Sequence, residues 1–323
     1  MKELKYNYIL AGVDRYYSSV YKDLQNKPNI KCYKSYIDGI KSKFIQLIVR
    51  ATFNIRLNKY IQTPFKHFTY PMILRNNFKD RRSICYIFLE NQYAVINTSY
   101  IDYLKRKYTN AKFVLYMQDL VSSLPYYNID EYKNKFDLIL SYDKGDCEKY
   151  NLEYYPTPYS TFDGLQHSTK EKSDVFFCGY AKQRFRTILD VYDKCSNAGL
   201  KCLFFIMGVS IENQVKRKGI IYNTPISYEE NIAYVKQSRC ILEIMQDNAT
   251  GFTLRLWESI TYDKHLLSNN KSIRNSNFYN PDNVHFVQDQ DSYDWITKEV
   301  IYSDEIKKSL SPLSLIERID SLL

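Results

Sequence analysis

Short apolar runs alternate along this chain with segments whose apolar residues recur every three or four positions. "YNYILAGV" (6–13) is such a run, ending at Gly12 and followed by Asp14, and it predicts a strand feeding a ligand-facing loop. From 34 to 59, apolar Tyr36, Ile37, Ile40, Phe44, Leu47, Ile48, Ala51 and Ile55 mark one helical face, with Lys41, Lys43, Arg50 and Arg56 largely elsewhere. "SICYIFLEN" (83–91) predicts a buried strand and "YAVINTSYIDYLKRKYT" a helix. "AKFVLYMQD" (111–119) and "FDLILSYDK" (136–144) predict two further strands. Each run ends in a polar tip, as parallel strands do when their carboxyl ends face a site.

Two prolines in "YYPTPYSTFDG" break the pattern, placing a domain boundary near Pro156–Pro158, after which the alternation restarts. "SDVFFCG" (173–179) is a strand ending in glycine, and "RFRTILDVYDKCSNAG" a helix closed by Gly199. "LKCLFFIMG" (200–208), "RCILEIM" (239–245), "KHLLSNN" (264–270) and "VHFVQDQDS" (284–292) supply more strands. "SYEENIAYVKQS" is a helix opened by Ser227 with Glu230 as its capping-box partner, and "FTLRLWESITY" is another. "DEIKKSLSPLSLIERIDSLL" is a closing helix interrupted at Pro312. The reading is α/β with two doubly wound domains, 1–157 and 158–302, and a C-terminal helix, 303–323, packing back across them.

At 323 residues, with 45% hydrophobic and 25% charged residues, the chain has the make-up of a globular protein. Its net charge of +9 is unevenly placed: residues 1–82 hold 17 Lys and Arg against 5 Asp and Glu. That asymmetry favours an acidic partner for the N-terminal part: anionic lipid, a phosphate-bearing acceptor or nucleic acid. Seven cysteines without a CxxC pair suggest reduced, mostly buried thiols and a cytoplasmic protein. No apolar stretch reaches the length of a membrane span, so contact with a membrane would be peripheral.

Candidate chemistry gathers in the second half. In "FFCGYAKQRFR", Gly179 ends a strand and Arg184 and Arg186 open a helix, a combination suited to clamping a diphosphate. In "TGFTLRLWES" (250–259), Gly251 lets a backbone approach a ligand, and Glu258 falls in the first turns of a helix. Asp143 and Asp146 read as caps. Asp289 and Asp291 form a DxD string near the C-terminus and read as a polar loop, and four isolated histidines offer no metal spacing, so no metal is expected.

With these segments and "DLILSYDKGDCEKYNLEYYPTPY", almost the whole chain resembles the GT-B glycosyltransferases, more narrowly the bacterial enzymes that build lipopolysaccharide or capsule chains. The resemblance implies two Rossmann-like domains facing a cleft, the N-terminal one binding acceptor and the C-terminal one nucleotide sugar. It implies that the turn Thr250, Gly251, Phe252, Thr253 donates backbone N–H groups to the diphosphate and that Glu258 accepts from the ribose. It implies that the loop holding Ile226 and Tyr228 lies beside the base, with Arg184 stabilising the leaving diphosphate, and Arg186 and Arg255 are the next cations in line. The commonest retaining pattern has two glutamates with seven residues between. Here Thr250 stands in the place of the first, which favours inversion with a base on the N-terminal domain. Asp14 and Asp119, at strand tips, are the candidates. The expected reaction is metal-independent and needs no cofactor beyond the donor. The expected acceptor is a growing surface glycan or a lipid-linked precursor, with peripheral contact to the inner membrane through the basic N-terminal region and no nucleic acid. The rivals are a polyol-phosphate transferase of related fold and a non-catalytic nucleotide- or nucleic-acid-binding protein.

Overall fold

A computed structural model of the chain describes residues 3–14, 17–54, 66–91, 98–124, 129–161, 172–246, 251–289 and 292–323. Continuous apolar runs become strands buried on both faces, because helices cover both sides of a parallel sheet. In the first unit these are β1 (Asn7–Ala11), β2 (Ile30–Tyr33), β3 (Ile84–Leu89), β4 (Lys112–Met117), β5 (Leu138–Ser141) and β6 (Glu153–Tyr154). They pair in parallel in the order β2-β1-β3-β4-β5-β6. Every residue of β1 and β3 is buried. Each side chain such as Phe88, fully withdrawn from water, stabilises the fold by roughly 2 kcal/mol.

The second unit repeats the design with β7 (Ser173–Tyr180), β8 (Cys202–Met207), β9 (Ile220–Tyr222), β10 (Ser238–Glu243), β11 (His265–Ser268) and β12 (Val284–Phe286). Their order is β12-β11-β10-β7-β8-β9, again all parallel. Both sheets are doubly wound, so the α/β architecture expected from the alternation holds. In such sheets ligands bind beyond the strand carboxyl ends, where the strand order reverses. That point lies between β1 and β3 in the first unit and between β7 and β10 in the second.

The helices are α1 (Tyr17–Val20), α2 (Lys43–Thr52), α3 (Thr98–Lys107), α4 (Ile129–Lys133), α5 (Lys144–Tyr150), α6 (Phe185–Asn197), α7 (Tyr228–Lys236), α8 (Leu254–Thr261), α9 (Asp304–Ser309) and α10 (Pro312–Leu322). The chain divides into residues 1–160 with 311–323, and residues 161–310. The closing segment is therefore two helices. Ser311 caps α10 with Pro312 in its first turn, where a missing N–H costs nothing. α10 belongs to the first unit: buried Asp320 accepts from the Lys5 N–H at 2.8 Å and the Tyr8 hydroxyl at 2.6 Å.

Two expected elements are shorter than the pattern suggests. The helix anticipated over 34–59 begins only at Lys43, after its N-cap Ser42. Before it, the Asp38 carboxylate accepts from the Lys34 N–H at 2.6 Å and Gly39 takes φ +83°, so local turns replace the helix; residues 55–59 lie outside the described residues. The strand expected over 284–292 ends at Phe286 and passes into a 3-10 turn. In the stretch beginning at Tyr93, residues 93–97 are outside the described residues and α3 runs from Thr98. The cysteines are free thiols. Among the described residues no helix is long and apolar enough to cross a membrane.

Candidate functional site

At the strand-order reversal of the second unit, the carboxyl ends of β7 and β10 meet the start of α8. β7 ends at Gly179–Tyr180, and the chain turns straight into α6, whose N-cap is Arg184. The Arg184 guanidinium lies back across the strand ends, donating through Nε to the Tyr180 carbonyl at 3.1 Å and through Nη1 to the Ile244 carbonyl. Glycine at 179 makes room for it: a Cβ there would stand 3.3 Å from Arg184 Nη2 and 3.2 Å from Phe177 Cζ.

α8 begins at N-cap Thr253, whose hydroxyl accepts from the Arg255 N–H at 3.1 Å and donates to the Glu243 carboxylate. Glu243, the last residue of β10, is buried and also receives the Ser268 hydroxyl at the end of β11. Burial pushes the Glu243 carboxyl above its ordinary value, and the two hydroxyls, with Arg255 and Arg184 nearby, pull it back.

One turn into α8, Glu258 is wholly buried. It accepts from the Tyr228 hydroxyl at 3.0 Å, from Asn231 Nδ2 at 3.2 Å and from Arg255 Nη1. Three donors match a carboxylate, and they offset the burial that pushes this group up. Glu258 thus lies beneath the site, where it holds partly exposed Arg255 and Tyr228 in place. Arg255 also donates to Asn231 Oδ1 at 3.1 Å and reaches the Cys178 carbonyl at 3.4 Å. α7, carrying Tyr228 and Asn231, starts with the expected capping box: Ser227 N–H to Glu230 Oε2 at 2.7 Å, and Glu230 N–H to Ser227 Oγ at 3.1 Å.

The outcome is a pair of guanidinium groups, Arg184 and Arg255, at one switch point. Burial first, and repulsion from Arg255 second, push Arg184 below its ordinary value. An anion set between two such cations relieves their repulsion and replaces lost solvation.

Of the residues singled out in the sequence, Gly179, Arg184, Tyr228, Thr253, Arg255 and Glu258 come together here. Arg186 is exposed on α6, and Ile226 is half-buried before α7. Gly251 is buried, and its carbonyl accepts from Asn270 Nδ2 at 3.1 Å. Phe252 packs edge-on against Trp257 and Phe278, anchoring the turn. Thr250 lies outside the described residues. Asn231, Glu243 and Ser268 were not anticipated. A single acid inside the apolar run "RCILEIM" was the available signal for Glu243.

In the first unit, the reversal between β1 and β3 gathers a different set. Asp14 is half-buried, and its carboxylate accepts from Asn91 Nδ2 at 3.3 Å. Asp119 is exposed beyond the end of β4. Beside them is Glu90, which follows β3 and takes the Gln118 N–H at 2.9 Å while buried. Burial pushes its carboxyl up to about 7, two backbone N–H bonds oppose the shift, and Asp119 adds to it. Asp143 caps α5 by accepting from the Asp146 N–H at 2.9 Å, and Asp146 accepts from the Val121 N–H at 2.8 Å. In the second unit, Asp289 pairs with Arg274, and Asp291 lies outside the described residues. Among the described residues no three His, Cys, Asp or Glu side chains are grouped to hold a metal ion.

No family model matches the chain, and no curated protein matches it. Among solved structures, it is similar to an alpha-glucosyltransferase in complex with UDP and a 13-mer DNA containing a central A:G mismatch. Identity is 12%, coverage 99% of this chain and 91% of that one, and the TM-score 0.47. It is also similar to the catalytic domain of starch synthase IV from Arabidopsis thaliana bound to ADP and acarbose, at 7% identity, 75% and 72% coverage and a TM-score of 0.47. A glycosyltransferase from Rickettsia africae ESF-5 is similar at 12% identity, 98% and 79% coverage and a TM-score of 0.39.

Proposed function

We propose that this protein is a glycosyltransferase that moves a sugar from a nucleoside diphosphate to a glycan acceptor. The observation that carries the reading is the Arg184–Arg255 pair, set over buried Glu243 and Glu258 where the strand order of the second unit reverses. A diphosphate leaving group builds up negative charge as the glycosidic bond breaks. Fixed guanidinium groups stabilise that charge more strongly than the ground state. In this reading Tyr228, held by Glu258, borders the nucleoside. In this reading the diphosphate needs no metal ion.

The acceptor hydroxyl loses its proton to a carboxylate of the first unit, Asp14 or Asp119, and the anomeric centre inverts. The acceptor is a growing surface glycan of the lipopolysaccharide or capsule type, free or lipid-linked. Helix α2 supports peripheral membrane contact: Phe44 and Leu47 are 71% and 65% exposed, and Lys41, Lys43 and Arg50 accompany them. Arg184→Ala tests the site. UDP, GDP and ADP, with their sugars, are screened for a rise in melting temperature, because a ligand of the native state stabilises it by mass action. One nucleotide should stabilise the parent chain and fail with Arg184→Ala. No response to any of them, or an undiminished response in the variant, refutes the proposal.

A further inference from the structure

A second cavity lies in the first unit, beside the amino-terminal half of β3. A cavity of about 190 Å³ is walled by five tyrosines, Tyr70, Tyr86, Tyr100, Tyr103 and Tyr108. Two wall segments are tied together: the Tyr100 hydroxyl donates to the Ile73 carbonyl at 3.2 Å, and the Tyr70 hydroxyl meets Ser99 Oγ at 2.7 Å. Arg75, Asn76, Asn77 and Lys107 also line the cavity, and among the described residues no carboxylate does. Lys107 Nζ lies 5.6 Å and 5.2 Å from the Tyr103 and Tyr108 ring centres. Burial would push its ammonium down, but those phenols hold it up, so it stays a cation.

Two details set this cavity apart from a packing gap. Tyr86 is 1% exposed overall and lines it, and no hydrogen bond ties its hydroxyl to another described residue. A hydroxyl on a cavity wall with no protein partner keeps its donor and acceptor capacity for whatever enters. Leu74, also in the wall, is buried at φ +44°, a conformation bulky residues seldom hold outside functional sites.

We infer that this cavity binds one acidic saccharide unit, its ring against the tyrosine faces, a hydroxyl paired with Tyr86, and its carboxylate facing Lys107 and Arg75. Aromatic walls suit the C–H face of a pyranose, amides and phenols suit its hydroxyls, and two cations without a carboxylate select an anion. The cavity admits a single ring, which favours a sugar unit over a strand of stacked bases. The inference stands apart from the proposed transfer reaction, since binding is measured without donor or turnover.

Saturation-transfer NMR on the full chain would test it, with glucuronic acid as probe and glucose and adenosine monophosphate as comparators. Glucuronic acid should bind, and glucose should bind more weakly. Tyr86→Phe removes a hydroxyl that bonds no other described residue, so the melting temperature should hold while glucuronic acid affinity falls about tenfold. Lys107→Gln should weaken binding as well, and Arg184→Ala should leave it intact. Absence of binding, equal affinity in Tyr86→Phe, preference for adenosine monophosphate, or loss in Arg184→Ala would each overturn the inference.

Discussion

Glu90→Gln should remove a distinct component from the pH dependence of stability. The Glu90 carboxyl is buried, and burial raises it from 4.5 to about 7 in the folded chain. Between those values it stays protonated when folded and ionises when unfolded, so rising pH favours the unfolded state. Its stabilising contribution is complete below pH 4.5 and is lost as pH climbs to 7. The slope is about 1.4 kcal/mol per pH unit, or about 3 kcal/mol across the interval. Glutamine keeps a carbonyl acceptor for the Gln118 N–H but does not titrate. Urea unfolding of both proteins from pH 4 to 8 measures the difference. Glu243, Glu258 and Asp146 are also pushed up by burial but titrate in both, so the difference in slope reports Glu90 alone. Any constant offset from the new amide leaves that slope unchanged. Parallel curves for the two proteins would show that Glu90 titrates alike in the folded and unfolded chain, and the account of its burial would fail.

Gly179→Ala should fold normally and weaken nucleotide binding several-fold, because its Cβ displaces the Arg184 guanidinium by a few tenths of an ångström; calorimetric titration with the best nucleoside diphosphate checks this. Glu258→Ala should cost about 3–5 kcal/mol in denaturant unfolding, since Arg255 then keeps a largely buried charge without its partner. A loss below 1 kcal/mol would mean that Glu258 is not the anchor described. Asp14→Asn should lower turnover on the order of 10²–10⁴-fold with donor affinity unchanged, and NMR of the product should show inversion; full activity shifts the assignment to Asp119. Turnover should survive excess EDTA, and loss restored by added manganese or magnesium would refute a metal-free reaction.

Central strands were the legible part of the fold. β3, β4, β7 and β8 are buried on both sides, so their sequences are uninterrupted apolar runs. β2, β6 and β9 are short edge strands with half-buried residues, too brief to show a period, and escaped the reading. Asp38 and Gly39 explain the overlong helix, because spacing alone does not register a side chain that bonds its own backbone. At the site, Gly179, Arg184 and Glu258 stood out through local strand–turn–helix pattern. Glu243 did not, because its partners Thr253, Ser268 and Arg184 come from three separate segments and meet only in the folded unit. The sequence also could not reveal that Glu258 is covered, since a helix position fixes a face but not what packs on it.

Because α10 completes the first unit, the second unit is in effect inserted within it. On the ribosome, residues 1–160 emerge first but wait for Asp320, and with it the partner of the Lys5 N–H and the Tyr8 hydroxyl. The second unit has all its strands in hand before that residue is made, so it is the one able to finish folding first. Early fragments would leave Tyr8, in the heart of the first sheet, with an unanswered hydroxyl, an exposed state for chaperones to guard. The same arrangement makes a circularly permuted chain, with 311–323 joined ahead of residue 3, a route to an autonomous first unit.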